Sequence, residues 1–252
     1  MASFARRRTR VVLGIAVLLA VLAPLALWLR NSSLVRIEHV TVTGIQGPQA
    51  TQIRHALESA GADMTTLHVR ESVLLDAVAT FSVVRSVRTE TDFPHGLRIV
   101  VNAYEPVAAL QGAGGRLTAV AGDGTLLRGG ATRGLPLVGV RTTPGGDRLG
   151  DGDGAADSEA ITAVGLLDAA PRALRARVGR VYRGPRGLAA TMRNGPKLYF
   201  GGAADLDAKW GAAAEVLAHP TSRAAAYVDL RVPERPVAGG LQPRPEITQP
   251  QL

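Results

Sequence analysis

An uncharged run of nineteen residues, VVLGIAVLLAVLAPLALWL at 11–29, comes after MASFARRRTR and is closed by Arg30. A helix needs about 20 apolar residues to cross the hydrocarbon core of a bilayer, so this run is long enough to span one. It exceeds the roughly 7 to 15 apolar residues of a cleaved signal peptide, and Trp28 with Arg30 makes an interfacial anchor. A retained transmembrane helix is therefore expected, with Pro24 tolerated inside it. Arg6, Arg7, Arg8 and Arg10 stand before the run, against Arg30 and Arg36 shortly after it. The positive-inside rule then puts residues 1–10 in the cytoplasm and everything beyond Arg30 outside it. That placement makes the membrane a partner and removes nucleic acid and cytoplasmic nucleotides from the expected ones.

The chain as a whole has globular composition, 46% hydrophobic and 20% charged over 252 residues, enough for one large or two small folded domains. It holds no cysteine, which excludes disulfides, thiolate zinc sites and a cysteine nucleophile. No H-E-x-x-H occurs among His39, His55, His68, His95 and His219, and no serine sits in G-x-S-x-G. GDGDGA at 150–155 formally fits G-x-G-x-x-A, but Asp151 and Asp153 would repel a pyrophosphate. The acids Asp147, Asp151, Asp153, Asp157 and Glu159 fail the EF-hand pattern, because Ala155 and Ala156 occupy a ligand position and the obligatory glycine. No enzyme, metal or cofactor is expected, and the acidic stretch reads as a solvated loop.

The order of elements is legible. SLVRIEHVTVTG at 33–44 alternates as a half-buried strand and ends at Gly44. GPQATQIRHALESAG carries Ile53, Leu57 and Ala60 at helical spacing with Gly61 as a stop, and a second helix is expected over about 70–80. Two strands, 83–91 and 97–104, are joined by the turn DFPHG. Further along come a hairpin around Gly122-Asp123-Gly124, the strand LPLVGV, a helix over about 160–170, three strand runs broken by Gly-Pro and Asn-Gly, a helix over 205–217, and YVDLR at 227–231. The fold class expected is α+β, a small β-α-α-β-β domain over 33–108 followed by a mixed sheet with flanking helices over 109–238. The Pro- and Gln-rich end, 239–252, reads as a flexible tail.

In that order the motifs resemble the FtsQ/DivIB family of bacterial cell-division proteins. The first domain is similar to its polypeptide-transport-associated (POTRA) domain, carried here by Val40, Val42, Gly44, Val84, Val87, Phe93-Pro94, Leu97, Ile99, Val101 and Glu105-Pro106-Val107-Ala108. Phe93 stands where the family commonly has Trp. In the second domain the matching residues are Gly124, Leu135-Pro136-Leu137, Asn194-Gly195, Leu198 to Gly201, Lys209 and Tyr227 to Arg231. The resemblance implies a non-enzymatic division scaffold. It would bind the small single-pass coiled-coil proteins FtsB (DivIC-like) and FtsL by strand addition at its last strand, and so help to control the FtsW and FtsI septal synthase. It also implies a place in the cell membrane at the septum. Carried over by motif, Arg231, Val232, Glu234 and Val237 lie on the partner edge, with Lys209 beside it.

Pro233 and Pro236 agree with an edge, since a residue without an N–H is excluded from central strands. One feature points elsewhere: Arg172, Arg175, Arg177, Arg180, Arg183, Arg186 and Arg193 form a basic tract. As a continuous strip it would suit anionic wall polymer or a client polypeptide on an anchored accessory protein; as scattered solvent-facing positions it would suit nothing in particular.

Overall fold

The structure is a computed structural model that describes residues 20–22, 24, 35–112, 115–141, 146–149 and 155–240. The expected span, 11–29, lies outside the described residues but for 20–22 and 24. Among the described residues no helix is long and apolar enough to cross a membrane. The chain divides into two units, 1–103 and 104–252, each with its own apolar core.

Unit 1 has the expected β-α-α-β-β order: β1 (His39–Thr43), α1 (Ala50–Ala62), α2 (Glu71–Val78), β2 (Val84–Asp92) and β3 (Gly96–Ala103). β3 is central, parallel to β1 and antiparallel to β2. Period-two alternation sends Leu97, Ile99 and Val101 to the helical side, where they meet Ile53 and Leu57 of α1 and Leu74 of α2. Burying each such side chain contributes about 1.5–3 kcal/mol. The expected first strand is shorter than its pattern, because Val35 to Ile37 pairs instead with the loop after α1: Ile37 N–H donates to Met64 O (3.2 Å) and Thr66 N–H to Val35 O (2.9 Å).

Among the described residues, unit 2 holds a nine-stranded sheet. In chain order its strands are β4 (Pro106–Gln111), β5 (Leu117–Ala121), β6 (Leu126–Leu127), β7 (Leu137–Arg141), β8 (Val178–Gly184), β9 (Gly187–Met192), β10 (Lys197–Gly201), β11 (Tyr227–Asp229) and β12 (Val237–Gly239). Its helices are α3 (Ala155–Asp168), the short α4 (Arg172–Arg175) and α5 (Leu206–Ala218). In space the strands run β12-β11-β10-β9-β8-β7-β4-β5-β6. One register row crosses seven of them as Leu110, Val138, Val181, Ala190, Leu198, Val228 and Ala238. That row is the floor of the core. Leu166 and Leu167 of α3 and Trp210 of α5 close over it, with the Trp210 ring 4.7 Å from that of Phe200 and its Nε1 donating to Leu166 O at 2.8 Å.

Two strands depart from the sequence expectation. The pattern assigns EPVA to the end of the first domain, but Pro106–Gln111 is β4, paired with β5 and β7, so the units part at 103/104. The pattern also makes YVDLR the terminal edge; β11 is instead an inner strand, and the chain turns back to add β12 outside it. Gly239 therefore belongs to the sheet rather than to the tail, and 241–252 lies outside the described residues.

Candidate functional site: the β12 edge

The two ends of the large sheet are unlike each other. At the β6 end the segment 147–149 lies along the strand: Leu126 N–H donates to Asp147 O (2.8 Å) and Leu149 N–H to Gly124 O (2.9 Å). Ion pairs of Arg128 with Asp147 and of Arg148 with Asp123 fasten it there. This is how natural sheets blunt an edge. At the β12 end no described segment pairs with the outer side.

The ladder dictates which backbone groups that outer side presents. Lys197 N–H donates to Ala226 O (3.0 Å) and Leu230 N–H to Tyr199 O (2.8 Å), so the Ala226 carbonyl and Leu230 address β10, while Ala226 N–H donates across to Gly239 O of β12 (3.0 Å). Residues alternate along a parallel ladder, so Tyr227 and Asp229 address β12. Their register partners, Gly239 and Val237, then bond inward, and Ala238 between them turns both its N–H and its C=O away from the sheet. Pro236 has the same outward parity and no N–H to offer, the position where an edge admits proline.

Between β11 and β12 the chain makes a tight turn, Arg235 N–H donating to Val232 O at 3.0 Å with Pro233 at its second position. Arg231, Val232, Glu234 and Val237 are all exposed around this turn, Val232 at 55% and Val237 at 56%. Two bare valines flanking an unpaired strand edge are an apolar rim beside unused backbone donors and acceptors. Arg231 folds back on Asp229, donating from Nε at 3.0 Å and from Nη2 at 2.7 Å. Those bonds hold the Asp229 carboxyl below the usual carboxylate range, against an opposing push from burial. A carboxyl depressed in the folded state stabilises above its unfolded pKa, about 3.9, and loses that contribution as pH falls through the folded value. We therefore expect Asp229→Asn to lower the melting temperature by roughly 1–2 °C at pH 7. The difference from the parent should close below about pH 4; a gap that is constant from pH 7 to pH 3 would show that the pair does not act by charge.

Lys209 stands behind the edge rather than on it. Only 5% of it is exposed, and its Nζ donates to Gly202 O at 2.9 Å. The same loop receives the Arg231 stem: Gly201 has φ +71°, and a Cβ there would stand 2.9 Å from Arg231 Cγ. Glycine at 201 supplies both the left-handed backbone and the space. Sequence reasoning missed the open face next to this edge, where Tyr199 and Tyr227 meet edge to face at 5.9 Å and the Arg186 guanidinium lies 4.9 Å above the Tyr199 ring. Tyr227 in turn lies across Gly239, where any Cβ would run into the ring. The i, i+2 spacing of Lys197 and Tyr199 carried that signal, but only the register brings Tyr227 beside them.

The basic tract does not form a strip. Arg172 and Arg175 both pair with Glu105, Arg183 with Glu159 at 3.2 Å, and Arg193 donates to Gly134 O at 2.6 Å. Asp147 and Glu159 of the acidic stretch are engaged in the same way, Asp157 is buried, and residues 150–154 lie outside the described residues. Among the described residues no group of His, Asp and Glu is placed to hold a metal ion.

Fold and edge together define a two-unit α+β protein in which, among the described residues, the β12 edge of the larger sheet has no pairing partner. Residues 108–231 match the family described as Cell division protein FtsQ/DivIB, C-terminal. On that match the chain belongs to the FtsQ/DivIB family, and is a cell-division protein of the septal division machinery. No curated protein matches the chain. The matched stretch runs from β4 to the end of β11; unit 1 and the β12 edge itself, with Val232, Glu234 and Val237, lie outside it.

Proposed function

We propose that this protein is a non-enzymatic divisome scaffold that takes up an extended segment of an FtsB/DivIC-like partner, with an FtsL-like protein, as a further strand on β12. Residues 11–29 anchor it in the membrane with the folded units outside, and the assembled complex helps to control the FtsW and FtsI septal synthase. The observation that carries the reading is the asymmetry of the sheet: one edge is covered by 147–149, the other turns Ala238 N–H and C=O outward. Strand addition uses such groups for affinity and neighbouring side chains for specificity. Val232 and Val237 supply apolar contact, Arg231 and Glu234 supply charge, and Lys209 acts through the Gly202 loop against which Arg231 rests. The wall-polymer alternative loses its support, because five of the tract's seven arginines are occupied within the protein.

Photo-crosslinking in cells tests this directly, with the probe at Val232 and a control at Leu117, 40% exposed on β5 near the blunted end. Capture of a small single-pass coiled-coil protein from Val232 alone is the expected result. Equal capture from both positions, or none from Val232, would remove the edge as the docking site.

A further inference from the structure

Unit 1 carries two large apolar side chains in the open at one end. Phe93, at the tip of the β2–β3 hairpin, is 68% exposed, and Leu67, in the loop between α1 and α2, is 49% exposed. Single exposed apolar residues need no explanation. What sets these two apart is that both loops are tied to residues 35–38. Thr66, itself buried, donates from its hydroxyl to Pro94 O (2.9 Å), the nearer of two carbonyls with Val35 O at 3.3 Å, and from its N–H to Val35 O (2.9 Å). His95 Nδ1 lies 3.0 Å from Arg36 O, and Glu38 N–H donates to His95 O at 2.9 Å. Hairpin tip, loop and incoming chain are thus one hydrogen-bonded corner.

That corner is where the chain arrives from the apolar run. From Leu29 to Val35 there are six residue steps, which reach about 20 Å at most when fully extended. A bilayer spanned by 11–29 therefore lies within that reach of Val35, to which the loop bearing Leu67 is hydrogen-bonded and beside which Arg36 and Glu38 meet the hairpin bearing Phe93. An exposed aromatic within reach of the headgroup layer is placed as interfacial aromatics are, with its apolar body available to the acyl boundary. The charges at this corner are mixed, Arg36 with Asp92 and Glu38, so the contact is apolar rather than one of anionic lipid with a basic patch.

We propose that Phe93 and Leu67 dock unit 1 on the lipid surface and hold that corner of it against the bilayer. The inference rests on the reading of 11–29 as a membrane span, and the test separates the two. The full-length protein has no cysteine, so single cysteines carrying an environment-sensitive fluorophore can be placed at will. Leu18→Cys reports the span and Leu67→Cys the corner. Asn102→Cys on β3 is the control; it is exposed and six residues from Gly96, about 20 Å along the strand from the tip. Each is reconstituted into phosphatidylcholine and phosphatidylglycerol vesicles with and without lipid spin-labelled near the headgroup, and Leu18→Cys is read instead with lipid spin-labelled deep on the acyl chain, because seven residues of helix put it about 10 Å inside the hydrocarbon boundary. We expect spin-labelled lipid to quench Leu67→Cys several-fold more than Asn102→Cys, and Phe93→Ser in the Leu67→Cys chain to remove at least half of that excess. Quenching at Leu18→Cys with Leu67→Cys no different from Asn102→Cys overturns the docking alone. Excess quenching that survives Phe93→Ser overturns the role of Phe93, and absence of quenching at Leu18→Cys overturns the span and the docking together.

Discussion

Ala238→Pro should reduce capture of an FtsB/DivIC-like C-terminal segment by roughly 100-fold, about 2.7 kcal/mol, while leaving the melting temperature of unit 2 within a few degrees of the parent. The two halves of that expectation come from one geometric fact. Ala238 turns its N–H outward, so proline removes nothing from the ladder with β11. The residue before a proline is biased to extended backbone, which Val237 already has as part of β12. An incoming strand, by contrast, meets a missing donor and a ring in its path, and a buried carbonyl left without a partner costs about 1–3 kcal/mol on its own. Affinity measured on the full-length protein, beside its thermal unfolding curve, decides the matter. Undiminished capture by a folded variant would mean that partners are not taken up as a strand on β12.

Trp210→Ala is the complementary case, a large loss of stability from inside the core. The side chain is 1% exposed, packs on Phe200 and satisfies Leu166 O. Removing it costs about 3–5 kcal/mol in lost burial and residual cavity, and strands a carbonyl of α3. For a unit of this size that is a fall of roughly 10–15 °C in its unfolding transition. Unit 1 has a separate core around Ile53, Leu57 and Ile99 and should keep its own transition. Trp210→Phe retains most of the apolar volume and loses only the N–H, so about 1–2 kcal/mol is expected. If Trp210→Ala were no worse than Trp210→Phe, the packing of α5 on the sheet would not be what holds unit 2 together.

How much of this is legible in the sequence depends on how each strand is buried. Strands with one wet face give themselves away: GLRIVVNA alternates, and β3 falls where the alternation puts it. β4 does not, because PVAALQ is covered on both sides. The helices lie over Val107 and Leu110, while Ala109 and its register partner Ala119 are also fully buried, with Gly130 standing against Ala119. A short apolar run without alternation carries no period to read. β12 is hidden for a different reason. Three residues following two prolines have no intrinsic strand pattern, and only pairing with Tyr227–Asp229 makes VAG a strand. The motifs do place Arg231, Val232, Glu234 and Val237 beside an edge, yet that edge is one strand further out than YVDLR suggests. Lys209 shows the limit of motif transfer: its position on α5 is foreseen, whereas its burial against Gly202 O depends on the turn at Gly201 that brings the loop beneath it.

Backbone pairing is blind to sequence, so a bare edge would accept an extended chain in any alignment unless something breaks its uniformity. Pro236 does that here. For a strand joining β12, the outward positions are Ala238 and, just before the strand, Pro236, which has a carbonyl but no hydrogen to give. A visitor shifted by one repeat of the ladder would set a carbonyl against that silent position and leave it dry and unmatched. A single ring, by withholding one hydrogen bond, would thus act as a ruler for the proposed partner strand, setting which of its side chains lie beside Val237.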